Sequence, residues 1–363
     1  MAGDSGESVQ DIRFARSADG VGIAYAVHGS GPPLLIDACW LSHLQFDWQS
    51  PVWRHYLIEL GRVATVIRYD ERGHGLSDRG VTDHSLEARV ADLEAVADDA
   101  GLGRFALLAM AQGGPVALEY AGRHPERVTR LALYGSYATA LSEATSEEEQ
   151  ELDNAFQALI RVGWERPTPE FRRVFTSLMI PGATEAQMKW LDELQRMATD
   201  AETAVMARSQ RQVIDSSGRL AELDLPTLVL HSRGDQMQEF QRGRELAAGI
   251  RGARLVGLES NNHIVLADEP AWPVFLRELT AFLAPDRGAA PTTVADDVVA
   301  VLSPRELDIL RLAADGRDNE AIAAELVLSV RTVERHLQNA YAKLGLQGRT
   351  ARTAAVARLL SRA

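Results

Sequence analysis

The sequence predicts an α/β protein, with a mostly parallel sheet and an inserted helical cap, followed by a small all-α domain. Three observations carry this reading. Short apolar strand runs alternate with helical patterns up to about residue 135 and again after 226, the rhythm of a parallel sheet. Between them, about residues 141–218 are charged and helical in period, as a cap over the sheet would be. Beyond residue 297 the periodic segments are all helical in character.

Taken in order, the polar stretch MAGDSGESVQD at 1–11 has no apolar signal core and reads as a tail. Strands are expected at GIAYAVHG (22–29), PLLIDA (33–38), VATVIRYD (63–70), FALLAM (105–110) and RLALYG (130–135), with a helix at 85–101. The cap offers Phe156, Trp164, Phe175, Met179 and Trp190 as candidates for helix packing or ligand contact. Strands resume at TLVLHS (227–232) and ARLVGLE (253–259), and AWPVFLRELTAFLA (271–284) closes the domain as a helix. PDRGAAPTTVADD (285–297) is rich in Pro, Gly, Ala and Thr and lacks apolar period, as linkers do. The expected domains are therefore 12–284 and 298–363.

The 363 residues, 46% hydrophobic and 25% charged, suit a globular protein of two domains. No apolar run approaches the ~18 residues of a membrane span, so no membrane partner is expected. A single cysteine, Cys39, excludes an internal disulfide framework and suits a reducing compartment, so the cytoplasm is expected. The net charge of −13 argues against nucleic acid only as an average. Residues 329–363 hold seven basic side chains against one acid, Glu334, and a basic tail on an acidic body marks a polyanion-binding element.

LLAMAQGGPVALEYA (107–121) reads as strand, tight small-residue turn and helix. A hydrolase presents its nucleophile on such a turn, and small flanking residues are needed because the turn is sharp. Ala109, Gly113 and Gly114 take the small positions, Met110 and Gln112 flank the centre, and Ala111 stands where a nucleophile would. Asp235 in HSRGDQ follows a strand, and His263 in ESNNHIVLADEP follows the last one, the order of a nucleophile–acid–histidine triad. A backbone N–H near Trp40, in DACWLSH (37–43), is expected to form an oxyanion hole with that of Gln112. Arg72 and His74, in RYDERGHGLSDR (68–79), are expected to organise their loop.

These residues together resemble the α/β-hydrolase family, particularly its ester- and lactone-hydrolase branch, over about residues 12–285. The chain departs from that pattern at Ala111 and at Ala38-Cys39, where the family has His-Gly. Alanine cannot attack a carbonyl, and a triad without its nucleophile retains only on the order of 10³–10⁴ of rate over water. A concave pocket survives such a loss. The resemblance thus implies a small-molecule site at Trp40, Ala111, Gln112 and His263, with no metal and no cofactor.

In the last segment, Ser303 and Glu306 form a capping-box pattern ahead of Leu307, Leu310 and Leu312, and Gly316 stops that helix. NEAIAAELV is a short second helix, and Ser329 is placed to cap a third, RTVERHLQNAYAKLG. Helix, short turn and basic helix make a helix-turn-helix. Val333, Leu337, Ala340, Tyr341 and Leu344 follow a core stripe, which leaves Glu334, Arg335 and Gln338 for base edges. Ser329, Arg331, Thr332, His336 and Lys343 are expected at phosphates. LSPRE, IA, LSVRTVERHL, KLG and Arg349 closely resemble the LuxR-type DNA-binding domain, with Asp318 a departure in the turn. The resemblance implies operator DNA as a partner and a homodimer on a two-fold site, supported by the last helix (about 350–360). The leading expectation is a transcription regulator answering to a small-molecule effector. The alternative is an active serine hydrolase fused to a regulator, in which Ala111 has replaced the nucleophile by natural loss or by engineering.

Overall fold

The computed structural model describes residues 9–37, 41–139, 147–284, 304–314, 317–326, 328–343, 346, 351–352 and 355–356. The chain divides into two compact units, 1–285 and 286–363.

The first unit is an eight-stranded sheet flanked by helices. Its strands are β1 (Asp11–Arg16), β2 (Gly22–Gly29), β3 (Pro33–Asp37), β4 (Thr65–Tyr69), β5 (Phe105–Met110), β6 (Val128–Tyr134), β7 (Thr227–Ser232) and β8 (Arg254–Leu258), in sheet order β1-β2-β4-β3-β5-β6-β7-β8. β2 pairs antiparallel with β1 and β4, and the other neighbours are parallel. β1 escaped the sequence reading because DIRFAR is mostly exposed, a short edge strand with charges at every turn of the pleat.

Period-two alternation sorts the central strands between the two faces. Leu108 and Met110 of β5, with Ala132 and Tyr134 of β6, enter one core cluster, while Leu107, Ala109, Leu131 and Leu133 enter the other. The chain runs from β3 to β4 on one side and then crosses to β5 on the other. That reversal makes the β3/β5 crevice, at the carboxyl ends of the strands, the place where such sheets bind ligands.

Around the sheet lie α1 (Leu44–Asp47), α2 (Arg54–Gly61), α3 (Leu86–Asp99), α4 (Gly113–Arg123), α9 (Phe240–Gly249) and α10 (Ala271–Leu283). The cap between β6 and β7 comprises α5 (Glu147–Gly163), α6 (Glu170–Met179), α7 (Glu185–Ala198) and α8 (Ala201–Arg211). Thr184 and Gln187 start α7 with a reciprocal capping box, and the Asp200 side chain caps α8. Trp164, Phe175 and Met179 are buried in the cluster that also holds Tyr56 and Phe275 of the body, so the cap shares a core with the sheet. Trp190 instead stacks on Phe46, with ring centroids 4.3 Å apart.

The second unit contains α11 (Pro304–Ala314), α12 (Asn319–Leu326) and α13 (Val330–Lys343) around one cluster. Ile309 is fully buried there, and Leu312, expected inside, is half-buried. Residues 306, 309, 310 and 313 lie on one helical face, whereas 312 is turned well away from it. The expected cap Ser303, stop Gly316, stripe residue Leu344 and motif residue Arg349, with the 285–297 linker, lie outside the described residues, as does most of the last helix.

Candidate functional site

β5 ends at Met110, and the backbone then turns sharply into α4. Among the described residues, Ala111 is the non-glycine with positive φ, +48°. A side chain in that region costs about 1–3 kcal/mol and persists where its surroundings over-determine it. Here they do. The Ala111 N–H donates to Tyr134 O at 2.9 Å, and Ser136 Oγ donates to Ala111 O at 2.6 Å.

The small residues after the turn are required by close approach. A Cβ on Gly113 would lie 2.9 Å from Asp37 O, and one on Gly114 would lie 1.7 Å from Ser136 Oγ and 2.9 Å from Tyr137 O. Gly114→Ala is therefore expected to cost about 1–3 kcal/mol of stability. The first unit's midpoint in a urea titration reads this, and an unchanged midpoint would contradict it.

Asp235 and His263 meet at the same end of the sheet. His263 Nδ1 lies 2.6 Å from Asp235 Oδ2, and both residues are buried. The N–H groups of Met237 and Gln238 donate to Asp235 Oδ1 at 2.8 and 3.0 Å. Burial opposes the charge on Asp235, but His263 and these N–H donors hold its carboxyl below the ordinary carboxylate value. A charged Asp235 accepts, so the ring donates from Nδ1 and directs Nε2 away from it. Gly135, with φ +55°, makes room for the ring: a Cβ there would sit 3.0 Å from His263 Cε1. Tyr134 Oη donates to His263 O at 2.7 Å, and the same Tyr134 accepts at its carbonyl from Ala111. One residue of β6 thus ties both the elbow and the His263–Asp235 pair to the sheet.

Gln112 occupies the N-cap position of α4, with its side chain turned elsewhere, and is buried. Its Nε2 donates to Glu71 Oε1 at 3.4 Å, and its carbonyl accepts from Arg89 Nη2 at 3.2 Å. Trp40, with Ala38 and Cys39, lies outside the described residues. Arg72 does organise its loop, pairing with Asp92 at 2.6 Å and Asp19 at 2.8 Å, and its carbonyl faces His74 Nδ1 at 3.0 Å. Two surface grooves lie away from Ala111 and Gln112. One, of about 390 Å³, is lined by Arg161, Val205 and Met206, and the other, of about 510 Å³, by Gly182, Arg233 and Asn262.

Several site residues escaped the sequence reading. Asp37 is fully buried beneath the elbow, and Tyr69 Oη donates to its Oδ1 at 2.6 Å. Burial pushes its carboxyl up to about 7, against the pull of Arg89. The folded state therefore holds this proton more tightly than the unfolded chain. The resulting stability is complete below the ordinary value of 3.8 and is lost as pH rises through 7. Asp37→Asn is expected to gain stability over the parent as pH goes from 5 to 8, in urea titrations at both. An equal difference at the two pH values would contradict this. Glu71, Arg89 and Arg211 were also missed; Glu71 stands inside RYDERGHG, but no local pattern links it to the two arginines.

In the second unit, Ser329 caps α13: the Thr332 N–H donates to Ser329 Oγ at 3.1 Å, and the two hydroxyls lie 2.8 Å apart. Asp318, the departure in the turn, proves to be a cap for α12, accepting from the Ala321 N–H at 2.8 Å. Val333, Leu337, Ala340 and Tyr341 are buried. Arg331, Glu334, Arg335 and Gln338 are exposed, together with Asn339, one turn beyond Arg335 and visible to the same stripe argument. Thr332 and His336 are half-buried, and His336 Nδ1 is enclosed. Lys343 Nζ pairs with the buried Glu306 of α11 at 2.7 Å, so a phosphate would compete with that carboxylate.

No group of three or more side chains able to hold a metal ion occurs among the described residues. Among them, too, no helix is long and apolar enough to cross a membrane.

Comparison with known proteins finds a different family in each unit. Residues 36–162 match the family described as alpha/beta hydrolase fold, and residues 300–356 match bacterial regulatory proteins of the luxR family. The AB hydrolase superfamily protein YisY of Bacillus subtilis is 25% identical over 260 residues, 66% of this chain and 88% of its own. A non-heme haloperoxidase of Rhodococcus erythropolis is 26% identical, over 67% of this chain and 89% of its own. Among solved structures, a hydrolase from Pseudomonas aeruginosa PA01 superposes with a TM-score of 0.63 at 25% identity, covering 78% of this chain and 100% of its own.

Proposed function

From a chain that joins an α/β-hydrolase-fold domain to a DNA-binding domain of the bacterial luxR family, we propose a ligand-responsive transcription regulator. Its hydrolase-like domain binds a small ester, lactone or related carbonyl compound and does not turn it over. The carrying observation is the elbow: Ala111 keeps a strained φ of +48° beside a bonded His263–Asp235 pair, yet has no atom to attack with. A methyl group at that point leaves room for a carbonyl and spares the signal. Backbone N–H of Gln112 is the donor the carbonyl would meet. The regulator acts as a homodimer on a two-fold operator, with α13 in the major groove.

A ligand regulates only by binding two states of the protein unequally. The test is therefore a thermal-shift screen of esters and lactones, followed by fluorescence anisotropy of the full chain on DNA with each hit. A shift in DNA affinity is expected. DNA binding that ignores every ligand able to stabilise the first unit would overturn the sensing role.

A second reading has support from the same elbow. Strain is expensive to keep without use, so the alternative is a serine hydrolase fused to a regulator, in which Ala111 stands in place of serine.

A further inference from the structure

Glu71 sits just beyond β4 and is buried. Donors from three separate parts of the first unit converge on its carboxylate. Arg89 of α3 donates from Nη2 at 2.9 Å, Gln112 of the elbow from Nε2 at 3.4 Å, and Arg211, in the last turn of cap helix α8, from Nη2. Arg89 Nη2 also reaches Gln112 O at 3.2 Å. The residue after Ala111 is thus gripped at its side chain and at its carbonyl by one ionic cluster.

The cluster is unbalanced. Two guanidiniums share one close carboxylate, and Arg89 Nη1 and Arg211 Nε are buried without partners. Removing Glu71 would leave two buried guanidiniums without their carboxylate, which is strongly destabilising, whereas removing Arg211 leaves Arg89 and Glu71 as a matched pair and cuts only the tie to the cap. The cap bears on it directly. Arg211 lies four residues before Asp215, where the returning chain is bridged to Thr139 at the other end of the cap. Thr139 Oγ1 donates to Asp215 Oδ1 at 3.0 Å, and the Ser216 N–H donates to Ala138 O at 3.0 Å. Any displacement of the end of α8 relative to the sheet would act on the Arg211–Glu71 pair. Other ties hold the cap to the 71–84 loop: Thr199 Oγ1 donates to Gly73 O at 2.9 Å, and Gly75 N–H donates to Ala198 O at 2.8 Å. These end at that loop, as does Arg79 Nη2 donating to Met197 O at 3.2 Å. The His263 N–H donating to Met179 O at 2.8 Å ties the cap to the histidine side of the site. The ionic path is the one that runs through Glu71 to Gln112.

We infer that Arg211, Glu71 and Gln112 form a latch that makes closure of the cap and the position of the elbow change together. Its use in signalling rests on the ligand pocket proposed above, but the mechanical coupling does not. A molecule that holds the cap down would fix the elbow, and one that props it open would free it. Glu71 and Arg211 are positioning residues, acting on the pocket through Gln112.

Hydrogen–deuterium exchange on the full chain without ligand tests this. Arg211→Met and Glu71→Gln are expected to raise exchange by about tenfold both in the cap segment 201–216 and in the elbow segment 111–116, and the double variant to add little at the elbow beyond either single change. The control is Arg208→Met, which breaks a 2.7 Å pair with Asp153 inside the cap and should loosen the cap alone. Should Arg211→Met fail to fold, Arg211→Gln makes the same comparison, removing the charge while keeping a polar side chain. Elbow exchange unchanged while the cap loosens, or indistinguishable from Arg208→Met, overturns the latch. A pocket that binds none of the screened compounds would overturn the proposed function and leave this result standing, so the two fail separately.

Discussion

Ala111→Ser is expected to make the first unit an esterase. The rise in kcat/KM on p-nitrophenyl acetate should be at least about 10³ over the parent, since a missing nucleophile alone removes orders of magnitude more in well-studied triads. The elbow and the acid–histidine pair are already in place. The turn already holds residue 111 at φ +48°, Ser136 already locks its carbonyl, and His263 is already oriented by Asp235 at 2.6 Å. Serine suits the position as well as alanine does, because it adds no second branch at Cβ. His263→Ala in the serine background should return the rate to that of the parent. A folded serine variant that stays inert sinks the second reading, in which the chain is a hydrolase missing one atom. Useful turnover supports an intact scaffold, and then the codon at 111 in the natural gene decides between sensor and disabled enzyme.

Arg335→Ala is expected to weaken binding to the selected operator by about 10- to 100-fold, the worth of one bidentate base contact, and to relax preference at one base pair. Arg331→Ala, at the start of α13, should weaken binding to all duplexes alike and lower the salt slope by about one. Both side chains are exposed, with the buried stripe of α13 behind them. Lys343→Ala should do less to the salt slope, because its ammonium is already spent on Glu306. The operator comes from selection on random duplexes with the full chain, and affinities from anisotropy at several salt concentrations. Equal losses on operator and random DNA for Arg335→Ala would remove it from base readout.

How much of this was legible beforehand follows from the range of the forces involved. Strands at 22–29, 105–110 and 227–232 were read to the residue, because a short apolar run bounded by polar and turn residues is a property of neighbours. The cap of α13 by Ser329 and its core stripe were equally local. The tight turn at Ala111 was readable from the small residues about it, since nothing larger fits beside Ser136. Other features were invisible for the complementary reason. β1 carries its signal in its partner β2 and little in its own residues. Lys343 looks like a phosphate contact until α11 brings Glu306 to 2.7 Å. Asp37 is an ordinary acid in PLLIDA, and its raised value exists only under the elbow.

By itself, then, the sequence determined the kinds of element, the order in which the elbow, Asp235 and His263 occur and the buried stripe of α13, all settled within a few residues by period and turn chemistry. Tertiary structure alone decided which charges meet. Glu71 and Arg211 are 140 residues apart and share no pattern; packing of the cap joined them, and burial made their pairing too costly to break lightly.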